Sequence, residues 1–273
     1  MRAVELRRQP TVAAGGNVTV GGTSWAAEVD GRNRGVYVIS DASLSLHPLC
    51  MRLSIILFDG YTTLDIVGGY EVLSRVPGVD VEIVAEERGV VAADTRRLGI
   101  LAYRAFDEVR STDILYVPGG PGAFALERNE RFLGRLRALD ATSTCTFGVC
   151  NGVGLLAAAG LLQGRAATTN WFYRERLATY GVALVARRYH RDGKYVTGAG
   201  VSASIDAGLH LAQLIAGDTV AQAIQLGIEY YPEPPYPEKT PADAPASAQQ
   251  IVRRHEAIAG EQQLQLAPAW GSA

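Results

Sequence analysis

Short apolar runs alternate with longer amphipathic stretches along the chain from Met51 onward. Runs rich in β-branched residues predict buried strands, which we place at Leu53–Phe58, Val79–Ala85, Ile114–Val117, Thr144–Val149 and Ala166–Thr169. Apolar positions at helical spacing predict helices at Leu64–Arg75, Asn129–Asp140, Asn151–Ala159, Trp171–Tyr180, Ser202–Ala216 and Asp218–Tyr230. Several of these strands are apolar on both faces, which is typical of parallel strands covered by helices.

The segment Tyr189–Val196 interrupts this alternation. Its Asp192-Gly193 pair predicts the turn of a β-hairpin. Repeated β-α-β units with one inserted hairpin indicate an α/β fold built on a doubly wound, mostly parallel sheet.

Residues 1–50 have a different composition, rich in Gly, Ser, Asn and Arg. They contain two short alternating pieces, Asn17–Val20 and Gly35–Ser40, and no amphipathic helix. Because a strong strand begins directly after Met51, we expect residues 1–50 to be a poorly ordered extension upstream of the true start. The alternative is a genuine flexible arm, and in either case we expect no function there.

Residues 51–231 form the expected catalytic domain. The remaining residues, 232–273, begin with a proline-dense run that excludes regular helix or sheet, so we expect an extended or wrapping tail. Within it, 251–265 predicts a short terminal helix.

Charge and cysteine content narrow the functional classes. The chain has 26 basic and 28 acidic residues, a net charge of −2, and no Lys/Arg cluster, so we expect no nucleic-acid partner. We find no apolar run of membrane-helix length and no secretory signal. Three cysteines and four scattered histidines favour neither a disulfide framework nor a zinc site. We therefore expect a cytoplasmic protein.

The most specific chemical feature is Gly148-Val149-Cys150-Asn151-Gly152, at a predicted strand-to-helix turn. Small residues around a nucleophile allow the sharp turn of a nucleophile elbow, and such a turn lies at the carboxyl edge of the sheet, where open α/β folds bind ligands. The helix N-terminus is expected to lower the thiol pKa. The alternative is a buried structural cysteine.

Two further segments end at the same sheet edge. Pro118-Gly119-Gly120-Pro121-Gly122 follows the strand Ile114–Val117, and its glycines would let backbone N–H groups line an anion or oxyanion pocket; otherwise it is a tight turn. Asp65 follows the first strand and is either a helix N-cap or a carboxyl near the Cys150 sulfur. No histidine is placed to act as a base, which argues against a thiol protease or amidotransferase.

Longer stretches of the chain resemble the DJ-1/PfpI superfamily. They are Leu57–Leu73 (LFDGYTTLDIVGGYEVL), the turn Val117–Gly122 and the elbow at Cys150. Within the superfamily, Ala158–Thr169 followed by Trp171, Arg191–Gly193, Gly200–Asp206 and Ala221–Tyr230 resemble the isocyanide hydratase branch.

The resemblance implies a flavodoxin-like, three-layer α/β fold, similar to class I glutamine amidotransferases, in a homodimer without metal or organic cofactor. It also implies a small-molecule substrate, an isocyanide that is hydrated to an N-substituted formamide. Cys150 is then the nucleophile and Asp65 its acid–base partner, with its pKa raised by burial and by the neighbouring charge. Backbone N–H groups of Gly120 and Asn151 would hold developing charge.

Two departures from the branch flank this site. Asn151 follows the cysteine where the branch usually has Thr, with Gly148 in place of a small residue that is often Ser, and Asn170 precedes Trp171 where the branch usually has His. We therefore count Gly119, Gly120, Asn151, Asn170 and Trp171 as the oxyanion and substrate-binding set.

These departures keep two alternatives open. One is a related cofactor-independent enzyme acting on another electrophile, such as a carbonyl compound. The other is a non-enzymatic ligand-sensing or redox-sensing module.

Overall fold

A computed structural model describes residues 17–20, 23–29, 35–40, 51–236 and 240–266, with side chains described for 51–236 and 240–262. The chain divides into two compact units, 1–48 and 49–273. In the first unit, strands β1 (Asn17–Val20), β2 (Thr23–Val29) and β3 (Gly35–Ser40) form an antiparallel sheet in that order. The expected poor order of residues 1–50, of which most lie outside the described residues, stays a prediction.

The second unit follows the predicted alternation. Its strands are β4 (Met51–Ile56), β5 (Val79–Ala85), β6 (Gly89–Ala92), β7 (Gly99–Ala102), β8 (Arg104–Ala105), β9 (Ile114–Val117), β10 (Cys145–Val149), β11 (Ala166–Ala167), β12 (Ala183–Leu184), β13 (Tyr189–Asp192) and β14 (Tyr195–Gly198). Its helices are α1 (Thr63–Leu73), α2 (Ala123–Leu126), α3 (Glu130–Asp140), α4 (Gly152–Ala158), α5 (Arg174–Ala178), α6 (Ala203–Gly227) and α7 (Ala246–Leu266).

Seven strands form the central sheet, in the order β13-β14-β10-β9-β4-β5-β8. All neighbouring pairs are parallel except β13 and β14, which form the predicted antiparallel hairpin. All four residues of β9 are buried, as expected for a central strand. The predicted doubly wound, flavodoxin-like fold is confirmed, with helices on both faces of the sheet.

Small residues bring α1 close to its neighbours. A Cβ added at Gly69 would lie 2.4 Å from the Tyr116 hydroxyl, and one added at Gly68 would lie 2.1 Å from Ser204 Oγ. Since these distances leave no room for a side chain, both glycines are required for α1 to pack on β9 and α6. This packing places the start of α1 beside the carboxyl ends of the central strands.

Several details differ from the sequence prediction. Ala166–Thr169 does not join the central sheet; only Ala166–Ala167 is a strand, and it pairs with β12 in a separate two-stranded sheet. The two predicted late helices are both present within α6 and meet at a kink at Gly217, where φ and ψ are non-helical. The β6–β7 hairpin was not predicted.

The helix within the tail is longer than predicted, Ala246–Leu266, and packs back on the body of this unit. A Cβ added at its Gly260 would lie 3.1 Å from the Phe124 ring. None of the described helices is both long enough and apolar enough to cross a membrane. The assignment of 51–231 as catalytic domain and 232–273 as tail stays a prediction.

Candidate active site

Cys150 lies at the turn between β10 and α4, with a positive φ of 57°. Its N–H donates to the carbonyls of Gly198 and Ala199, at 3.1 and 3.0 Å. The turn is tight, because a Cβ added at Gly152 would lie 2.3 Å from the Pro118 carbonyl oxygen. A non-glycine residue in this region of φ is strained, and the surrounding packing and hydrogen bonds hold it there. The backbone therefore has the sharp turn that the small flanking residues predict.

Asp65 lies in the first turn of α1 and is fully buried. The N-cap of α1 is Thr62, so the alternative that Asp65 caps the helix is wrong. Its Oδ2 accepts a hydrogen bond of 3.0 Å from the Gly119 N–H. Its Oδ1 is buried and makes no well-aligned hydrogen bond with any described residue.

The Cys150 thiol is close enough to the Asp65 carboxyl to act as its hydrogen-bond partner. Burial, opposed by the hydrogen bonds from Gly119 and Cys150, raises the pKa of Asp65 to about 8. The raised direction agrees with the expectation from burial and a neighbouring charge. The structure thus brings the two predicted catalytic side chains together and keeps the carboxyl largely protonated at neutral pH.

The pKa of Cys150 is raised well above its usual value, mainly by burial and secondarily by the Asp65 charge. This differs from the expectation that the helix N-terminus lowers it. Two bonds do favour the thiolate: one from the Asn151 backbone N–H and one of 2.8 Å from Asn170 Nδ2 to the sulfur. They do not outweigh the loss of solvent around a thiol that is only 4% exposed.

Asn151 joins the elbow to the glycine turn. Its Oδ1 accepts from the Gly120 N–H at 2.7 Å, and its Nδ2 donates to the Gly120 carbonyl at 2.9 Å. The Gly120 N–H is therefore occupied, and the Gly119 N–H is bonded to Asp65. The expected oxyanion pocket from Gly120 is not free in this structure, and the donors on the sulfur are the Asn151 backbone and Asn170.

Asn170 is held in one orientation. Its Oδ1 accepts from the Tyr173 N–H at 2.9 Å, which leaves Nδ2 directed at the Cys150 sulfur. Tyr173 is itself fixed, because its hydroxyl donates a short hydrogen bond to buried Glu127. Trp171, the next residue, stacks against Phe172 edge to face and lies under the guanidinium of Arg253. Trp171 is not among the hydrogen-bond partners of the sulfur or of the Asp65 carboxyl.

Sequence reasoning missed several neighbours of the pair. The Tyr116 hydroxyl donates a short hydrogen bond to the Asp65 backbone carbonyl, and Thr169 Oγ1 donates to the Cys150 carbonyl at 2.6 Å. Glu256, on the tail helix, acts electrostatically on both Asp65 and Cys150. Tyr116 could have been suspected from its place on the strand before the glycine turn, but no local signal points to Glu256.

Among the side chains that the structure describes, no group of three or more His, Cys, Asp or Glu residues is arranged to hold a metal ion. The groups that meet at the site are the Cys150 thiol, the Asp65 carboxyl and the amide donors of Asn151 and Asn170. A buried thiol beside a carboxyl of raised pKa can exchange a proton and add to a small electrophile.

A DJ-1/PfpI family model matches residues 51–214. The chain is 36% identical over 209 residues to the isonitrile hydratase of Pseudomonas putida, covering 77% of this chain and 91% of that protein. It is 28% identical over 122 residues to the deglycase PfpI of Pyrococcus furiosus, covering 44% and 73%.

Among solved structures, a ThiJ/PfpI family protein from Pseudomonas syringae superimposes with a TM-score of 0.76. Its sequence is 28% identical, and the superposition covers 85% of this chain and 97% of that one. The region that the family model matches, residues 51–214, contains the elbow, the glycine turn and Asp65.

Proposed function

The chain belongs to the DJ-1/PfpI family, and on that basis we propose that it is a cysteine-dependent isocyanide hydratase. This lyase would add water to the terminal carbon of an isocyanide (isonitrile) to give an N-substituted formamide. The observation that carries the proposal is the buried pair of Cys150 and Asp65, in which the pKa of the carboxyl is raised to about 8. The relative from Pseudomonas putida, an isonitrile hydratase, supports the substrate class.

The first step uses the pair with one proton: the Asp65 carboxylate takes the proton of the Cys150 thiol, which leaves a thiolate and a carboxylic acid. The Cys150 sulfur attacks the isocyanide carbon, and the Asp65 proton is transferred to the same carbon. A C–S bond and a C–H bond form, which gives a thioimidate and leaves Asp65 as a carboxylate. Asn170 Nδ2, 2.8 Å from the sulfur, stabilises the negative charge on the sulfur before attack.

The second step hydrolyses the thioimidate. Asp65 takes a proton from water as the water oxygen attacks the carbon, and passes that proton to the substrate nitrogen. The C–S bond then breaks, and the hydroxyl proton moves to Asp65. This releases the formamide and restores the thiolate and carboxylic acid, so that no cofactor is consumed.

The remaining predicted residues take positioning roles in this proposal. Gly119 orients the Asp65 carboxyl through its N–H, and Asn151 fixes Gly120 and thereby the same turn. Asn170 holds the sulfur. Trp171, which is partly exposed, would form part of the wall around the substituent of the isocyanide.

The test is formamide production from simple alkyl and aryl isocyanides by the purified protein, followed by mass spectrometry. We expect turnover by the wild type, none by Cys150→Ala, and a steep loss in Asp65→Asn. A covalent adduct on Cys150 in Asp65→Asn, or its transient accumulation in the wild type, would identify the thioimidate.

Full activity of Cys150→Ala would contradict the covalent mechanism. Failure of the wild type with several isocyanides, together with consumption of a reactive carbonyl compound, would favour the related enzyme on another electrophile. One relative is a deglycase, so the reaction with a carbonyl compound serves as the control reaction.

Two further expectations, one on oligomeric state and one on cellular compartment, belong with this proposal. Leu64, Val67 and Tyr70 form an apolar stripe along α1 and are 42%, 36% and 36% exposed, which supports the expected homodimer; light scattering of the purified protein tests it. The reaction needs a free thiol, and Cys145 and Cys150 are both unpaired, which supports a reducing compartment such as the cytoplasm.

A further inference from the structure

One face of the tail helix α7 packs toward the candidate active site. Arg253, Glu256 and Gly260 are spaced by three and four residues and therefore share that face. The Arg253 guanidinium lies 4.6 Å from the centre of the Trp171 ring. A Cβ added at Gly260 would lie 3.1 Å from the Phe124 ring. Glu256 lies between these two contacts and is partly buried.

The two residues that anchor this face belong to the segments that build the site. Trp171 follows Asn170, which donates to the Cys150 sulfur. Phe124 follows the glycine turn, which holds Asp65 through Gly119. The carboxyl of Glu256 is thus held across from both segments, and its charge acts on Asp65 and on Cys150.

A second carboxyl lies on the same side. Asp94 accepts a hydrogen bond of 2.8 Å from Thr62 Oγ1, just before α1, and interacts electrostatically with both Asp65 and Glu256. Three cations lie near this side: Arg96 pairs with Asp59 at 2.5 Å, Arg253 lies over Trp171, and His255 acts electrostatically on Glu256. We call Asp94 and Glu256 together the acidic face of the site. The buried Asp65 Oδ1, without an aligned hydrogen bond, lies within the electrostatic reach of this face.

We propose that Glu256 is a specificity-determining residue, which makes the acidic face favour isocyanides with a cationic substituent, such as an amine, over anionic ones. The inference rests on the proposed function, because it names the substrate class of that same site. A negative carboxyl on the helix that packs against Trp171, the proposed wall around the substituent, attracts an ammonium group and repels a carboxylate. Burial of part of the side chain strengthens this preference, since the surrounding dielectric is lower than that of water.

The test compares three isocyanides of equal length that carry an ammonium, a neutral or a carboxylate group. In low salt we expect kcat/KM to be about fivefold higher for the cationic than for the neutral compound, because one partly screened ion pair in the transition state gives a rate difference of about this size. The carboxylate compound should be the poorest of the three. Glu256→Gln should reduce the preference to less than about twofold, and Glu256→Lys should reverse it. Glu261→Gln, an exposed carboxyl on the same helix, is the matched control and should leave the preference unchanged.

A second measurement does not depend on hydratase activity. Cationic and anionic methanethiosulfonates form a mixed disulfide with Cys150, releasing methanesulfinate, and the rate is followed by mass spectrometry of the Cys150 peptide. We expect the cationic reagent to react faster with the wild type, and Glu256→Gln to remove the difference. Equal rates in the wild type would overturn the inference. A clear difference in labelling together with no formamide from any isocyanide would instead overturn the proposed function and leave the charge preference standing.

Discussion

The substitution Asp65→Asn should make the protein more stable, by an amount that grows with pH. In the folded chain burial raises the pKa of Asp65 from the usual 3.8 to about 8, whereas in the unfolded chain the carboxyl ionises near its usual pKa. Between these two values the folded state holds a proton that the unfolded state has released, so the stability of the wild type falls as pH rises.

The size of the effect follows from the pKa difference. Each unit corresponds to about 1.4 kcal/mol, so ionisation of Asp65 on unfolding lowers the stability of the wild type by about 3 kcal/mol at pH 6 and about 5 kcal/mol at pH 8. At pH 4 the loss is below about 1 kcal/mol. Asparagine has no proton to lose, and its side-chain oxygen can still accept the Gly119 N–H that Asp65 Oδ2 accepts. Cys150 adds nothing to the slope in this range, because its pKa is raised above its usual value and it stays protonated in both states.

The assay is urea unfolding of both proteins at intervals from pH 4.5 to 8, at constant ionic strength. We expect the stability of Asp65→Asn to exceed that of the wild type at every pH. This excess should increase by several kcal/mol across the range, because the ionisation of Asp65 on unfolding lowers the stability of the wild type by that order of magnitude. Asp192→Asn is the matched control: it removes an ion pair with Arg165, 3.3 Å away, and should give no such gain. A difference between Asp65→Asn and the wild type that is the same at every pH would refute the reasoning.

Three further outcomes are expected. The value of kcat/KM should rise with pH up to about 8. The reaction requires the pair of Cys150 and Asp65 to hold one proton, and below that pH the pair holds two. A rate that falls from pH 6 to 8 would contradict the mechanism. Asn170→Ala should lower kcat by about tenfold or more, since one charge-assisted hydrogen bond to the sulfur is lost, and should slow the labelling of Cys150, whereas a purely structural role would change stability alone. Gly152→Ala should destabilise the fold by about 2 kcal/mol or more, because its Cβ would meet the Pro118 carbonyl; Gly227→Ala, with nothing within 4 Å, should instead stabilise by about 0.5 kcal/mol in thermal unfolding.

The central strands and the elbow could be predicted because their signals are local. A few consecutive residues are enough in each case: the apolar run Ile114–Val117 predicts the strand, and the small residues around Cys150 predict the turn. Since carboxyl ends of parallel strands meet at one edge, the proximity of Asp65 to Cys150 also followed from the order of the elements.

The direction of the thiol pKa could not be predicted in this way. The sequence shows the helix N-terminus that favours the thiolate, but not the burial that opposes it, which depends on how α1, the glycine turn and the elbow close around the sulfur. The pairing of the Asn151 side chain with Gly120 is likewise a contact across 31 positions in the chain. The position of α7 over Trp171 and Phe124 depends on the path of the tail, which a proline-dense composition does not specify.

The two hydrogen bonds between the Asn151 side chain and Gly120 tie the nucleophile and its acid to one piece of backbone. The elbow holds Asn151, Asn151 holds Gly120, and the adjoining Gly119 holds the Asp65 carboxyl. A change at position 151 that is meant only to reshape the pocket would therefore also move the proton donor. Redesign of this enzyme for a bulkier substituent should leave that residue alone and enlarge the pocket from the side of the tail helix.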